Sequence, residues 1–248
     1  MNETWGLSMI REEVLSASPE PRQKDIIIVV RDQLEYVKGC IESIQEHTKN
    51  YHLFIYDNGS LPPTRDYLKG LGDDVSLCRD EKNQGFIYPN NFLVQQGNAP
   101  YIILINTDVL VAEGWDLVLT GFLEKHPEFA QVGFLGGFLD VNGKGIRGGY
   151  GSDVDYICGW GFCIPRAVYN DFGLFDDENL KFAYCEDSDF SMRLREAGRK
   201  IYALRIPLAH HFGNKTVTEV MKEQSLAGYL TDNHAYLKKR WKKFLPSS

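Results

Sequence analysis

Four short, largely apolar runs begin at residues 25, 52, 75 and 101, and the stretches between them carry helix or turn signals. Asp25–Val30 and Tyr101–Ile105 hold an almost unbroken series of Ile, Val and Leu, which suits strands buried on both faces. Leu34, Val37, Ile41 and Ile44 recur at helical spacing, predicting a helix to about Thr48. His52–Tyr56 reads as a second strand closed by the turn Asp57-Asn58-Gly59-Ser60, and Val75–Cys78 as a third. Asn90–Gly97 reads as a short helix and Trp115–His126 as a longer one ended by Pro127. A strand about every 25 residues, with helices between, predicts a mostly parallel sheet covered on both faces. In such sheets ligands bind beyond the carboxyl ends of the strands. The polar residues there are Asp32, Asp57, Asn58, Asn106 and Asp108.

The second half breaks this rhythm. Gly133–Gly151 is glycine-rich, with Asn142-Gly143 as a hairpin turn. Ile157–Pro165 reads as a strand, Asp187–Ala197 as a helix stopped by Gly198, and Lys200–Leu204 and Pro207–His211 as short strands. Thr218–Phe244 reads as helical and ends in Lys238-Lys239-Arg240-Trp241-Lys242-Lys243. Ser18-Pro19-Glu20-Pro21 breaks the chain before the first strand. Residues 1–24 are therefore expected to be an extension, and residues 25–248 a single α/β domain with an elaborated C-terminal half.

Composition narrows the function. The chain has 248 residues, 43% hydrophobic and 25% charged, values that exclude a disordered, collagen-like or coiled-coil protein. A net charge of −7 leaves no excess of cations to neutralise phosphates, so nucleic acid is not an expected partner. No apolar run approaches the ~20 residues of a membrane span, and Glu3, Glu12 and Glu13 do not suit a signal peptide. The five cysteines include no CxxC pair and read as reduced thiols in a cytoplasmic protein.

Five constellations could carry chemistry. Asn106-Thr107-Asp108 presents an amide and a carboxylate at a strand tip, fitting either a divalent cation or a simple turn. Glu186-Asp187-Ser188-Asp189 puts three acids in four positions before a helix. Capping explains one of them easily, and a mutually raised proton affinity would suit a general base. In Ala209-His210-His211, neighbouring side chains on a strand point oppositely, so one histidine at most joins a site; either can instead be simply half-buried. Asn83-Gln84-Gly85-Phe86, with Asn91, suits either close backbone approach to a ligand or an ordinary loop. Trp160, between Gly159 and Gly161, suits a sugar-stacking platform or the core.

In order and spacing the set resembles the family 2 glycosyltransferases of the GT-A fold, including their rhamnosyl-type relatives, from about Asp25 to Trp241. Gly173-Leu174-Phe175-Asp176 and His211-Phe212-Gly213 with Thr216 also match that family's blocks. The resemblance implies an inverting, metal-dependent transfer from a nucleotide-diphosphate sugar, a UDP-sugar first and a dTDP-sugar next, to an acceptor hydroxyl in polysaccharide or glycoconjugate synthesis. It implies that residues 25–110 bind the nucleotide sugar and residues 111–248 the acceptor. Asp187 with Glu186 would be catalytic. Asp57, Asn83, Gly85, Asn91, Asn106 and Asp108 would bind the donor, and Trp160 and Asp189 the acceptor. Asp108 and His211 would ligate Mn²⁺ or Mg²⁺, with His210 as the alternative. A glycan or glycolipid acceptor is expected, with a peripheral membrane contact through the basic C-terminus as a further expectation. A sugar nucleotidyltransferase or a non-catalytic binder of the same fold are the alternatives. The nucleotidyltransferase would need a Gly-rich loop after the first strand, where this chain has Arg31-Asp32-Gln33.

Overall fold

The computed structural model describes residues 23–213 and 226–246. Residues 1–22, Thr216 and the first part of the predicted C-terminal helix lie outside the described residues. In chain order the elements are β1 (Lys24–Val30), α1 (Leu34–His47), β2 (Tyr51–Asn58), α2 (Pro62–Lys69), β3 (Val75–Asp80), α3 (Ile87–Val94), β4 (Tyr101–Ile105), β5 (Val109–Val111), α4 (Trp115–Lys125) and β6 (Phe129–Gly133). They continue with β7 (Gly136–Leu139), β8 (Gly145–Gly149), β9 (Tyr156–Ile157), β10 (Gly161–Pro165), α5 (Arg166–Phe172), α6 (Glu186–Glu196), β11 (Lys200–Ala203), β12 (Ala209–His211) and α7 (Leu226–Trp241).

A seven-stranded sheet in the order β11-β6-β10-β4-β1-β2-β3 forms the spine. β3, β2, β1 and β4 run parallel, whereas β10 is antiparallel to both β4 and β6. The apolar runs are central because their two faces feed two cores. Ile26, Ile28 and Val30 of β1 and Ile103 and Ile105 of β4 pack with Val37, Ile41 and Ile44 of α1 and Val118 and Leu119 of α4. Ile27, Ile102 and Leu104 face the other way, onto Leu93 and Val94 of α3 and Phe190 and Leu194 of α6. Each such buried aliphatic side chain is worth about 1.5–3 kcal/mol of burial.

Three departures from the sequence reading matter for the site. The expected strand Ile157–Pro165 is two strands, β9 and β10, in different sheets, separated by the turn Cys158-Gly159-Trp160. Because β10 is antiparallel, its first residue, Gly161, pairs with Ile105, the last of β4. The turn therefore lies at the carboxyl edge of the parallel strands. A separate two-stranded ribbon, β5 with β12, sets His211 opposite Val109 and so beside Asp108. Finally, Lys24 belongs to β1 rather than to the extension, with its ammonium paired to buried Asp116.

Candidate functional site

At the tips of β1 and β2 the loops are tied to one another. The Asp57 carboxylate, 1% exposed, accepts from Ser60 N (2.9 Å) and pairs with Arg79, its register partner on β3. Asp32 N donates to Ser60 Oγ (3.0 Å), and Asp32 Oδ1 accepts from Leu61 N (2.6 Å). Asn58 Nδ2 donates to Asn83 Oδ1 (2.9 Å) and Gly85 O (2.7 Å), and Asn58 Oδ1 accepts from Gln84 N (2.7 Å). Asn83 and Asn58 thus shape the segment preceding α3. Gly85 has φ 83°, and a Cβ there would lie 2.4 Å from Phe182 O. The close approach that Gly85 permits is therefore to the protein's own backbone at Phe182, which corrects its reading as room for a ligand. Asn91 also faces protein: it donates to Phe175 O (2.8 Å) and Asp177 Oδ2 (3.2 Å) and accepts from Phe175 N (3.0 Å).

The tip of β4 carries the Asn106-Thr107-Asp108 segment. Asn106 N donates to Trp160 O (2.9 Å), and Asp108 O accepts from Phe212 N (2.9 Å). Asp108 is buried, and its Oδ1 lies 3.2 Å from His211 Nε2. That nitrogen is buried yet makes no hydrogen bond. A nitrogen and a carboxylate oxygen thus converge, a donor set that would suit a divalent cation. Among the described residues no cluster of three His, Cys, Asp or Glu ligands exists. His210 points the other way and is exposed. His211 is thereby the histidine of the pair that meets Asp108.

Trp160 connects this pair to the acids. Its indole stacks on His211 (centroids 4.8 Å apart) and on Phe134 (5.6 Å), and it packs against the core. The rings it meets are protein rings, and the residue is half-buried against the core. Its buried Nε1–H has no partner.

The acidic segment opens α6. Asp187 Oδ2 accepts from Gly159 N (3.0 Å), and its Oδ1 accepts from Ser188 N (2.7 Å) and Ser188 Oγ (3.2 Å). No cation pairs with it among the described ion pairs. Burial raises the Asp187 carboxyl above the ordinary aspartate range, partly offset by those hydrogen bonds. Burial also raises Glu186, and the Asp187 charge raises it further; Glu186 Oε2 is buried without a partner. Asp189 differs. Arg193 Nε donates to one of its oxygens (2.9 Å) and Trp241 Nε1 to the other (2.9 Å), and the residue is 1% exposed. It anchors α6 to α7, which corrects its assignment to the acceptor.

The structure therefore brings Asp187, Gly159, Trp160, His211, Asp108 and Asn106 into one connected group. Asp57, Asn83 and Gly85 form an adjoining loop pair, and Asn91 and Asp189 serve the scaffold. Sequence reasoning missed Gly159 as the donor to Asp187 and Arg79 as the partner of Asp57. Extending the third strand by two residues would have set Arg79 beside Asp57.

Comparison with known proteins gives three findings. Residues 25–172 match the family model described as "Glycosyl transferase family 2". A 105-residue segment is 26% identical to the teichoic acid poly(glycerol phosphate) polymerase of Staphylococcus epidermidis, covering 40% of this chain and only 14% of that polymerase. Among solved structures, residues 1–349 of TarS from S. aureus match with a TM-score of 0.59 at 15% identity, over 81% of this chain and 64% of that one. The mannosyltransferase PcManGT from Pyrobaculum calidifontis, solved with GDP-Man and Mn²⁺, matches with a TM-score of 0.59 at 11% identity, over 93% and 76% of the two chains.

Proposed function

The chain belongs to glycosyl transferase family 2 and has its GT-A fold, and on that premise we propose an inverting, metal-dependent transfer of a sugar from a nucleoside-diphosphate sugar to an acceptor hydroxyl. One observation carries the reading. The Asp187 carboxylate is bonded to Gly159, the next residue stacks on His211, and His211 lies 3.2 Å from Asp108. A base and a cation-binding pair are thus held in one rigid unit.

In this reading Asp187 removes the acceptor proton as the oxygen attacks the anomeric carbon, on the face opposite the departing diphosphate. Its raised proton affinity suits that step, and three hydrogen-bond donors fix its direction. Burial and the Asp187 charge raise the proton affinity of Glu186 beside it, so the two acids titrate as a pair. Mg²⁺ or Mn²⁺ held by Asp108 and His211 would supply charge stabilisation to the leaving diphosphate. The Asp57–Ser60 turn, with Asn83 bonded to Asn58 beside it, would hold the nucleoside. A UDP-sugar is the first donor to test and a dTDP-sugar the second. The partial likeness to a teichoic acid polymerase supports a polysaccharide or related glycoconjugate as the acceptor. A merely binding module is disfavoured, because burying Glu186 and Asp187 without a cation costs stability that binding alone does not require.

A thermal-shift panel of UDP, dTDP, GDP and CDP, with and without Mn²⁺, tests this. Ligand at a hundredfold excess over Kd stabilises by about 2.7 kcal/mol. One nucleotide should raise the midpoint only with the ion present, and the shift should vanish in Asp108→Ala and His211→Ala. No shift with any nucleotide, or a shift indifferent to both substitutions, would sink the metal-dependent reading.

A further inference from the structure

Immediately before Glu186 the backbone is strained. Phe182, Tyr184 and Cys185 have φ of 66°, 75° and 72°, the left-handed region that bulky side chains avoid. Such a conformation persists only where its surroundings over-determine it. On one side, Phe86 N and Ile87 N both donate to Phe182 O (2.6 and 3.2 Å), in the space left by Gly85. On the other side stands α7, whose hydrogen bonds to the loop backbone come from Asn233. Asn233, 1% exposed, donates from Nδ2 to Lys181 O (2.9 Å), Ala183 O (2.9 Å) and Tyr184 O (3.1 Å). Its Oδ1 accepts from Lys181 N (3.0 Å). The same helix adds a Tyr229 ring stacked on Phe182 and a His234 ring 3.5 Å from Cys185 Sγ.

We propose that Asn233 is a positioning residue for the Asp187 base, holding residues 181–185 in the left-handed path that starts α6 with the Asp187 carboxylate directed at Gly159. Asp187 lies two residues beyond the last strained position, so relaxing the loop swings the carboxylate. The inference rests on the transferase reading. It also assigns a functional role to α7, which lies outside the part of the chain that matches the family model.

Asn233→Ala and the isosteric Asn233→Asp test it, with Leu237→Ala as control. Leu237 is fully buried on the same helix, beside Gly143, and makes no hydrogen bond to the loop through its aliphatic side chain. Both Asn233 variants should lower kcat 10- to 100-fold with the donor KM within about twofold, as small misplacements of a catalytic group do. Leu237→Ala should lose thermal stability with kcat within about twofold of wild type. Hydrogen exchange should show lost protection at the Gly159 and Ser188 amides in the Asn233 variants and unchanged protection in β1 and β4. Wild-type kcat in Asn233→Ala, or an equal loss in Leu237→Ala, would overturn the inference alone. If the wild type turns over no sugar nucleotide, the transferase reading has failed. Protection at Gly159 that survives loss of Asn233 would then still overturn the positioning role.

Discussion

Buried acids occupy two regions of the sheet's carboxyl edge, and the fold treats them in opposite ways. In the β2–β3 region Asp57 is neutralised by Arg79 and capped by Ser60 N. At the start of α6, Glu186 is buried and Asp187 half-buried, but the arginine one turn further along the helix, Arg193, is given to Asp189. The paired acids, Asp57 and Asp189, fix loop and helix positions. Burial raises the proton affinity of Asp189 as it does that of Glu186 and Asp187, but of the three Asp189 alone has a cation beside it. Desolvation alone does not separate these roles; whether a cation accompanies the carboxylate does.

Substitutions at the two regions should trade stability against activity in opposite ways. Asp187→Asn removes the base while keeping its size. Turnover should fall roughly 10²- to 10⁴-fold, with the nucleotide-induced thermal shift retained and the unliganded midpoint no lower than wild type. Arg79→Ala leaves Asp57 buried without its cation. It should cost about 3 kcal/mol of stability, the low end for a broken buried pair because Arg79 is itself partly exposed. Urea denaturation of both variants beside a turnover assay reads the contrast. If Asp187→Asn unfolds as easily as Arg79→Ala, Asp187 is scaffold.

The division between the regions also decides what the sequence could disclose. The strand-tip acids follow apolar runs buried on both faces, so β1, β2 and β4 and the positions of Asp57 and Asp108 were legible from local pattern. Local signals misled where an element is set by distant pairing. α2 carries no element in the sequence reading; it starts with Pro62-Pro63, which is tolerated in a first helical turn. β6 (Phe129–Gly133) merges in sequence with the glycine-rich stretch after it, and its strand state comes from β10 and β11 on either side. The antiparallel insertion of β10, which delivers Gly159 and Trp160 to the site, has no local signature. Nor does Asn233, whose four partners are backbone groups about 50 residues earlier. Asp189 was misread because Glu-Asp-Ser-Asp shows the acids but not that Trp241 reaches back to one of them. The choice between His210 and His211 needed only the register of β12 on β5.

A smaller effect sharpens the same contrast through pH. Folding raises the Glu186 carboxyl above its unfolded value, so between the two the native state holds a proton that the unfolded chain has lost. Stability must then fall as pH rises from the ordinary glutamate value near ~4.3. The slope is at most about 1.4 kcal/mol per pH unit for one group. Glu186→Gln cannot ionise and should remove Glu186's share of that fall, so its advantage over wild type should widen from pH 5 to pH 8. Thermal midpoints across that range measure it. An advantage that shrinks with rising pH would mean that Glu186 is charged and stabilised in the native state.

The smallest effect is expected at Glu196, the exposed end of α6 and the opposite extreme from Glu186 ten residues earlier. Arg240 and Lys243 donate to its two oxygens at 2.5 and 2.7 Å and hold its carboxyl down to about 2. Its sign is therefore reversed: the contribution is present above the ordinary glutamate value and is lost as pH falls toward 2. Water and salt screen this pair, so Glu196→Gln should move the thermal midpoint by less than about 2 °C at neutral pH and by nothing measurable in 1 M salt. The pairing also bears on the basic run Lys238–Lys243. Arg240 and Lys243 are engaged by Glu196, Lys238 Nζ donates to Asn142 Oδ1 (2.8 Å), and buried Trp241 pins the helix to the core. Charges committed to their own surface have less to offer an anionic lipid. Sedimentation with anionic vesicles should accordingly be weak in wild type, and stronger in Glu196→Gln if freeing two cations is what a lipid contact requires. Strong wild-type binding, unaffected by Glu196→Gln, would show that Lys239 and Lys242 suffice, and that the run is a membrane contact rather than a charged helix end.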